Sequence, residues 1–230
     1  MVEILRFKHA FQPIFNLETN EVIGYEALAR FPDGGPPEAH LALLAQSGEK
    51  ALRAFDALSA AMAAGAARAR GLLPGQRLFI NVTAATARAV LAGEEWPRTP
   101  SGIPVVWELP EDRDGDGAGL SADEVAALLR TGAEVALDDL GGGFAEVLRF
   151  AAALDSDDAR PPWCKLARRV TAEAPRSSGI CRLLRRLTQL LPIIAEGIET
   201  PAERDALLRA GVRYAQGFLL GPPGPLPPAA

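Results

Sequence analysis

Gly24-Tyr25-Glu26-Ala27-Leu28-Ala29-Arg30 sets a single carboxylate at the end of an apolar stretch, and the same arrangement recurs along the chain. Asn81 follows Leu78-Phe79-Ile80, Glu108 follows Val105-Val106-Trp107, and Asp138-Asp139 follows Val135-Ala136-Leu137. Lys165 follows Trp163-Cys164, and Glu196 follows Ile193-Ile194-Ala195. Between these short apolar runs lie Ala- and Leu-rich segments with helical character. Alternation of that kind predicts parallel strands joined by crossover helices, closing as an α/β barrel of the (β/α)8 type. Such a barrel carries its chemistry at the C-terminal strand ends, so the polar residues are expected to meet on one face.

The chain has 230 residues, enough for one domain of barrel size, and 48% of them are apolar, which argues against disorder. No apolar run approaches the roughly 18 to 20 residues of a membrane span, and Met1 to Lys8 lacks the layout of a signal peptide. These features predict a cytoplasmic protein without membrane contact. Cys164 and Cys181 are too few for a disulfide framework or a thiolate zinc site. With His9 and His40 the only histidines, a metal here would be held mainly by oxygen. The net charge of −5 argues against a DNA or RNA polymer as partner, though not against a small nucleotide held through metals. Only 3 of the 24 basic residues are lysines, which makes Lys165 at an apolar strand end the more informative.

Phe11 to Leu17 and Val22 to Leu28 flank the turn-rich Asn16 to Asn20, so the barrel is expected to open on a hairpin rather than a βα unit. Two helices are expected between Glu38 and Gly71, and further ones over Ala84–Ala92, Ser121–Arg130, Phe144–Ala153, Arg176–Leu190 and Pro201–Ala210. Thr200, Pro201 and Glu203 read as the N-cap, first helical position and capping-box partner of the last helix. A single domain over residues 1–222 is expected, with a Pro/Gly-rich tail over 223–230 forming an extended or mobile end.

Taken together, Gln12-Pro13-Ile14, Glu26-Ala27-Leu28-Ala29-Arg30, Asn81-Val82-Thr83, Glu108-Leu109-Pro110-Glu111, Asp138-Asp139-Leu140-Gly141-Gly142-Gly143, Lys165, Ala195-Glu196-Gly197-Ile198-Glu199-Thr200 and Gln216-Gly217-Phe218 resemble the EAL-domain phosphodiesterases, which hydrolyse cyclic di-GMP. The resemblance runs from about Phe11 to Pro222. It implies a modified TIM-type barrel with one antiparallel strand, hydrolysis of cyclic di-GMP to linear pGpG, and a homodimer. It implies two Mg²⁺ or Mn²⁺ ions per site. By the same resemblance Glu26, Asn81, Glu108 and Asp138 hold the first metal, with Asp138 shared and Asp139 serving the second. Lys165, Glu196 and Asp139 are the implied catalytic groups, Glu196 being metal ligand or general base. Gln12, Arg30 and Gln216 look like substrate contacts, and Glu111 and Glu199 like supporting acids behind them. This oxygen-rich set suits hard divalent cations, and a lysine beside them can stabilise charge developing on phosphate.

Adjacent acids on a strand normally point to opposite faces. Asp138 and Asp139 can therefore share a site only if the backbone turns there, which Gly141-Gly142-Gly143 would permit. Departures from the family pattern surround this pair. Active members usually have an acid where this chain has Ala167, Phe and Thr where it has Leu140 and Gly142, and serines where it has Ala145 and Glu146. A second expectation follows from these changes and from the absence of an attached sensory or cyclase domain: a catalytically weak or inactive barrel that serves as a cyclic di-GMP receptor or protein-interaction module. Asp112 to Gly117 imitates the start of an EF-hand loop, but Asp123 stands where Glu is expected and Gly119 where an apolar residue is usual. Arg176, Arg182, Arg185 and Arg186 read as the solvated face of an amphipathic helix.

Overall fold

The computed structural model describes residues 6–100, 102–110, 119–141, 151 and 161–227. Eight strands close into one barrel in sequence order: β1 (Lys8–Asn16), β2 (Glu21–Arg30), β3 (Arg77–Asn81), β4 (Val105–Leu109), β5 (Val135–Leu140), β6 (Trp163–Leu166), β7 (Ile193–Ala195) and β8 (Tyr214–Ala215). β1 runs antiparallel to both β2 and β8, and every other neighbouring pair is parallel. The hairpin expected at the start is therefore present, and it is what makes β1 the one antiparallel strand.

Side-chain alternation sorts the strand residues into two apolar sets. Ile14, Phe79, Val106, Ala136 and Ile194, with Ile23, Trp163 and Tyr214 against them, form a small cluster of their own, which is the filling of the barrel lumen. Ala27, Leu78, Ile80, Trp107, Leu109, Val135, Leu137, Cys164, Leu166, Ile193, Ala195 and Ala215 join the larger core between sheet and helices. At the lower end Arg77 lies 5.5 Å over the Trp163 ring and pairs with Glu134 at 2.8 Å, while Trp163 meets Phe79 and Tyr214 edge-on. Gly24 is required in β2, because a Cβ there would fall 2.4 Å from the Arg77 carbonyl oxygen.

The helices that lie wholly within the described residues are α1 (Pro37–Ala45), α2 (Glu49–Arg70), α3 (Ala84–Leu91), α4 (Ala122–Leu129), α5 (Arg168–Glu173), α6 (Ser178–Leu187) and α7 (Pro201–Arg209). The Glu38–Gly71 stretch breaks into two helices at Gly48, whose φ is 89°, and α2 ends on left-handed Gly71. Thr200 and Glu203 cap α7 reciprocally, as read from the sequence, and Ser121 with Glu124 does the same for α4. The six-residue α5 had no periodicity long enough to announce it. The helix expected over Phe144–Ala153 falls, except for Ala151, outside the described residues, as do Glu111, Ala145, Glu146 and the Asp112–Gly117 stretch. Among the described residues no helix is long and apolar enough to cross a membrane.

Over its described residues, 223–227, the Pro-rich tail is extended and docked. Gly224 exchanges two backbone hydrogen bonds with Phe11 of β1, at 2.7 and 3.0 Å, and Leu226 is buried in the main core. β8 pairs with β1 only at Phe15 and Asn16, so the tail completes the β1 side of the seam above it.

Candidate active site at the barrel mouth

Period-2 alternation explains how the site is assembled. Counting two residues toward the mouth from each lumen residue leads from Phe79 to Asn81, Val106 to Glu108, Ala136 to Asp138, Trp163 to Lys165, Ile194 to Glu196 and Tyr214 to Gln216. In antiparallel β1 the same step runs backwards, from Ile14 to Gln12, and Gln12 pairs in register with Glu26. The polar residues are thus the top layer of the barrel interior.

Lys165 stands at the centre of that layer and is 1% exposed. Its Nζ lies 2.8 Å from Glu196 Oε1, 3.1 Å from Glu26 Oε1, 3.2 Å from Glu108 Oε1 and 3.7 Å from Asp138 Oδ1. Gln216 Nε2 donates to Glu26 Oε2 at 2.6 Å and to Glu196 Oε1 at 2.9 Å, which leaves its buried Oε1 without a partner. Asn81 Nδ2 reaches Glu26 Oε1 at 3.4 Å. Both oxygens of Glu108 are buried and accept no hydrogen bond, and Lys165 Nζ is its ion-pair partner at 3.2 Å. Gln216 and Glu196 are held side by side by backbone bonds from Gln216 N to Ala195 O and from Ile198 N to Gln216 O. Gly217 allows this approach, because a Cβ there would lie 2.2 Å from Ile198 N.

Crowding of charge in a buried space sets the protonation pattern. Burial alone would raise the Glu26 carboxyl, but the Lys165 charge and the Gln216 hydrogen bond outweigh it and hold it below the usual value. Glu108 goes the other way: burial and the neighbouring Glu26 charge push it well above the carboxylate range, against the pull of Lys165. Glu196 rises to about 7, chiefly through burial, with Lys165 opposing. Burial works against the Lys165 charge as well, yet the surrounding carboxylates override it and hold the ammonium well above its ordinary pKa. The cluster carries more acid than one lysine can neutralise.

Asp138 and Asp139 show how one strand can turn two successive acids. Leu137 pairs with Cys164 and Leu140 with Leu166, so β5 carries one residue more than β6 across that interval. The extra residue is a bulge, and Asp139 takes a φ of 62° within it. The backbone thus turns at Asp139 itself, ahead of Gly141, whose φ is 95°. Asp139 N donates to Asp138 Oδ1 at 3.1 Å.

The remaining expected residues lie further out. Gln12 is buried and donates to Gly221 O at 3.3 Å, and Arg30 donates to Ala29 O at 2.9 Å. Glu199 precedes α7 rather than lying within a helix, and its side chain pairs with Arg168. Glu111 lies outside the described residues. Ala167, at 2% exposure, is packed at the start of α5 with its N–H on Leu140 O. No motif pointed to Asp56 of α2, a buried acid bound to Thr83 and Thr86. The available signal was its spacing from Ala60, Ala63 and Ala67, which puts an acid on the apolar stripe of its helix.

The EAL-domain family model matches residues 2–223. The chain belongs to the EAL-domain family. Among curated proteins it is 27% identical over 234 residues to PdeN of Escherichia coli K12, a probable cyclic di-GMP phosphodiesterase, covering 96% of this chain and 44% of that protein. The chain thus spans less than half of that relative's length. Among solved structures, a standalone EAL protein of Vibrio cholerae O395 in its cyclic di-GMP-bound form superposes with a TM-score of 0.68 at 22% identity, covering 97% of this chain and 95% of that one. BlrP1 of Klebsiella pneumoniae, solved with manganese and cyclic di-GMP, matches with a TM-score of 0.65 at 24% identity over 93% of this chain and 55% of that one. At these identities the superpositions establish the EAL fold.

Proposed function

We propose that this EAL domain is a phosphodiesterase that hydrolyses cyclic di-GMP to linear pGpG with the help of two Mg²⁺ or Mn²⁺ ions. The observation that carries this reading is the buried Lys165 ringed by Glu26, Glu108, Asp138 and Glu196 at the barrel mouth. The residues suit hard cations: the donors are carboxylate and amide oxygens, and Glu108 offers two buried oxygens that accept no hydrogen bond. Among the described residues no trio of acids is already spaced to grip one ion, and Glu26, Glu108 and Glu196 each contact Lys165 Nζ. Excess negative charge in the cluster is what a divalent ion would offset.

Glu26, Asn81, Glu108 and Asp138 would hold one ion, and Asp138 and Asp139 the other, with Glu196 as a further ligand or as the base. When bound, the ions would polarise the phosphoryl group and acidify the attacking water, as in two-metal phosphoryl transfer. Lys165, kept charged by its neighbours, meets the negative charge that develops on the phosphoryl oxygens. In its base role Glu196 takes a proton from the attacking water as the water oxygen bonds to phosphorus and one P–O bond of the ring breaks, and the departing ribose oxygen takes up a proton from solvent. Gln216 spends its amide donors on Glu26 and Glu196, and its free Oε1 can accept from a substrate N–H. Arg30 and Gln12, at the same end of the hairpin, would orient phosphate and base. The same reading carries a homodimer and a cytoplasmic setting, and the net charge of −5 supports a small nucleotide over a nucleic-acid polymer.

A second reading draws on Ala167, whose packed methyl group offers no acid beside the Asp138–Asp139 turn. It makes the barrel a cyclic di-GMP receptor with little or no turnover. Anion-exchange chromatography of cyclic di-GMP incubated with the protein and Mg²⁺, Mn²⁺ or EDTA separates the two. A metal-dependent pGpG peak that Glu26→Ala abolishes supports the enzyme, whereas full turnover by Glu26→Ala sinks it. Binding without product after overnight incubation with Mn²⁺ supports the receptor.

A further inference from the structure

Asp56 is 1% exposed, yet it belongs to no part of the carboxylate cluster. Its Oδ2 accepts three hydrogen bonds: from Thr83 N at 2.9 Å, from Thr83 Oγ1 at 2.7 Å and from Thr86 Oγ1 at 2.6 Å. Three donors rather than a cation compensate the buried carboxyl. Thr83 is the N-cap of α3, but its hydroxyl makes no capping bond within its own helix. It donates outward to α2 instead, so the two helices meet through this carboxylate at the level of the barrel mouth. One turn further along α2, Ser59 Oγ makes a second such tie, to His9 Nε2 of β1 at 3.0 Å.

These contacts bear on Asn81, two residues before Thr83. Asn81 is exposed, and among the described residues its side chain bonds only to Glu26, at 3.4 Å. Its placement is therefore a property of the backbone that carries it. That backbone is pinned immediately afterwards on two sides, by Val82 N on Glu108 O at 3.1 Å and by Thr83 on Asp56. We propose that Asp56 is a positioning residue for the site: from outside the barrel it fixes the loop between β3 and α3 and thereby aims the Asn81 amide at the metal position. The inference rests on the reading of Asn81 as a metal ligand.

Asp56→Asn keeps the shape and an acceptor oxygen but loses the charge, which weakens all three hydrogen bonds to that oxygen. Thr83→Val removes one donor, and Thr83→Ser keeps it. Mn²⁺ binding is followed by electron paramagnetic resonance, amide exchange over residues 82–87 by mass spectrometry, and turnover in the same samples. Asp56→Asn and Thr83→Val are expected to weaken Mn²⁺ binding by about 10- to 100-fold, the usual effect of losing a group that orients a ligand. Their 82–87 amides should exchange faster, excess Mn²⁺ should restore part of any lost kcat, and Thr83→Ser should match wild type. Variants that melt earlier but bind Mn²⁺ within twofold of wild type would overturn the proposal, leaving Asp56 a fold stabiliser. If wild type is silent toward cyclic di-GMP while the Mn²⁺ pattern holds, the phosphodiesterase reading fails and the positioning role stands. Wild type that binds no Mn²⁺ overturns both.

Discussion

Lys165 Nζ donates to Glu26 Oε1 over 3.1 Å, joining residues 139 apart in sequence, and both side chains are buried. This bond links β6 to β2 through the lumen rather than along the sheet. Removing the lysine would leave Glu26, Glu108 and Glu196 facing one another without their cation. Lys165→Met is expected to lower stability by about 3 to 5 kcal/mol, the usual cost of breaking a buried pair from one side, and to abolish turnover. Urea unfolding with and without Mn²⁺ checks it: stability should recover in part with the ion.

Ala167→Asp puts an acid at the N-cap of α5, beside the turn of β5. Asp is favoured at an N-cap, so the substitution should fold despite the low exposure of the site. By the family resemblance it would restore a missing acid near the proposed second metal position. Turnover is expected to rise several-fold and to saturate at lower Mn²⁺. Unchanged turnover in a folded variant would show that this position does not limit catalysis.

Burial lowers the His9 pKa from the ordinary 6.5 to about 4. The folded protein therefore resists protonation that the unfolded chain accepts. Stability from this residue is complete above pH 6.5, falls as pH drops from 6.5 toward 4, and levels off below. The drop in melting temperature between pH 7 and pH 5 is expected to shrink in His9→Phe relative to wild type.

Leu226 is 5% exposed, and its segment borders the β1–β8 seam. Leu226→Ala is expected to cost about 2 to 5 kcal/mol, the range for truncating a buried leucine. Because Gly221 of the same segment accepts from Gln12, a chain ending at residue 220 should also show a raised KM for cyclic di-GMP. Calorimetry and steady-state kinetics check the two effects separately.

Strand ends were legible because the barrel imposes a local rule. Lumen and mouth residues alternate with helix-facing ones at a period of two, so an apolar run closed by a polar residue already states which side chain enters the site. Glu108, Lys165 and Glu196 could be read in this way, and so could the cap of α7, whose Thr200 and Glu203 are three residues apart; Glu26, expected at a strand end, instead lies inside β2, which continues to Arg30 to complete the hairpin with β1. Gln216 was visible as part of a motif, but its bonds to Glu26 and Glu196 were not, since those partners lie 190 and 20 residues away.

By itself, the sequence determined the order of strands, the opening hairpin and the set of oxygen-bearing residues at one end of a barrel, all consequences of short-range periodicity and residue chemistry. Tertiary structure decided the rest. The left-handed turn at Asp139 depends on β5 carrying one more residue than β6. The burial of Asp56 depends on α2 lying against the start of α3, and the docking of the tail depends on β8 being too short to cover β1. Each requires two segments distant in sequence to meet, and no local pattern encodes the geometry of that meeting.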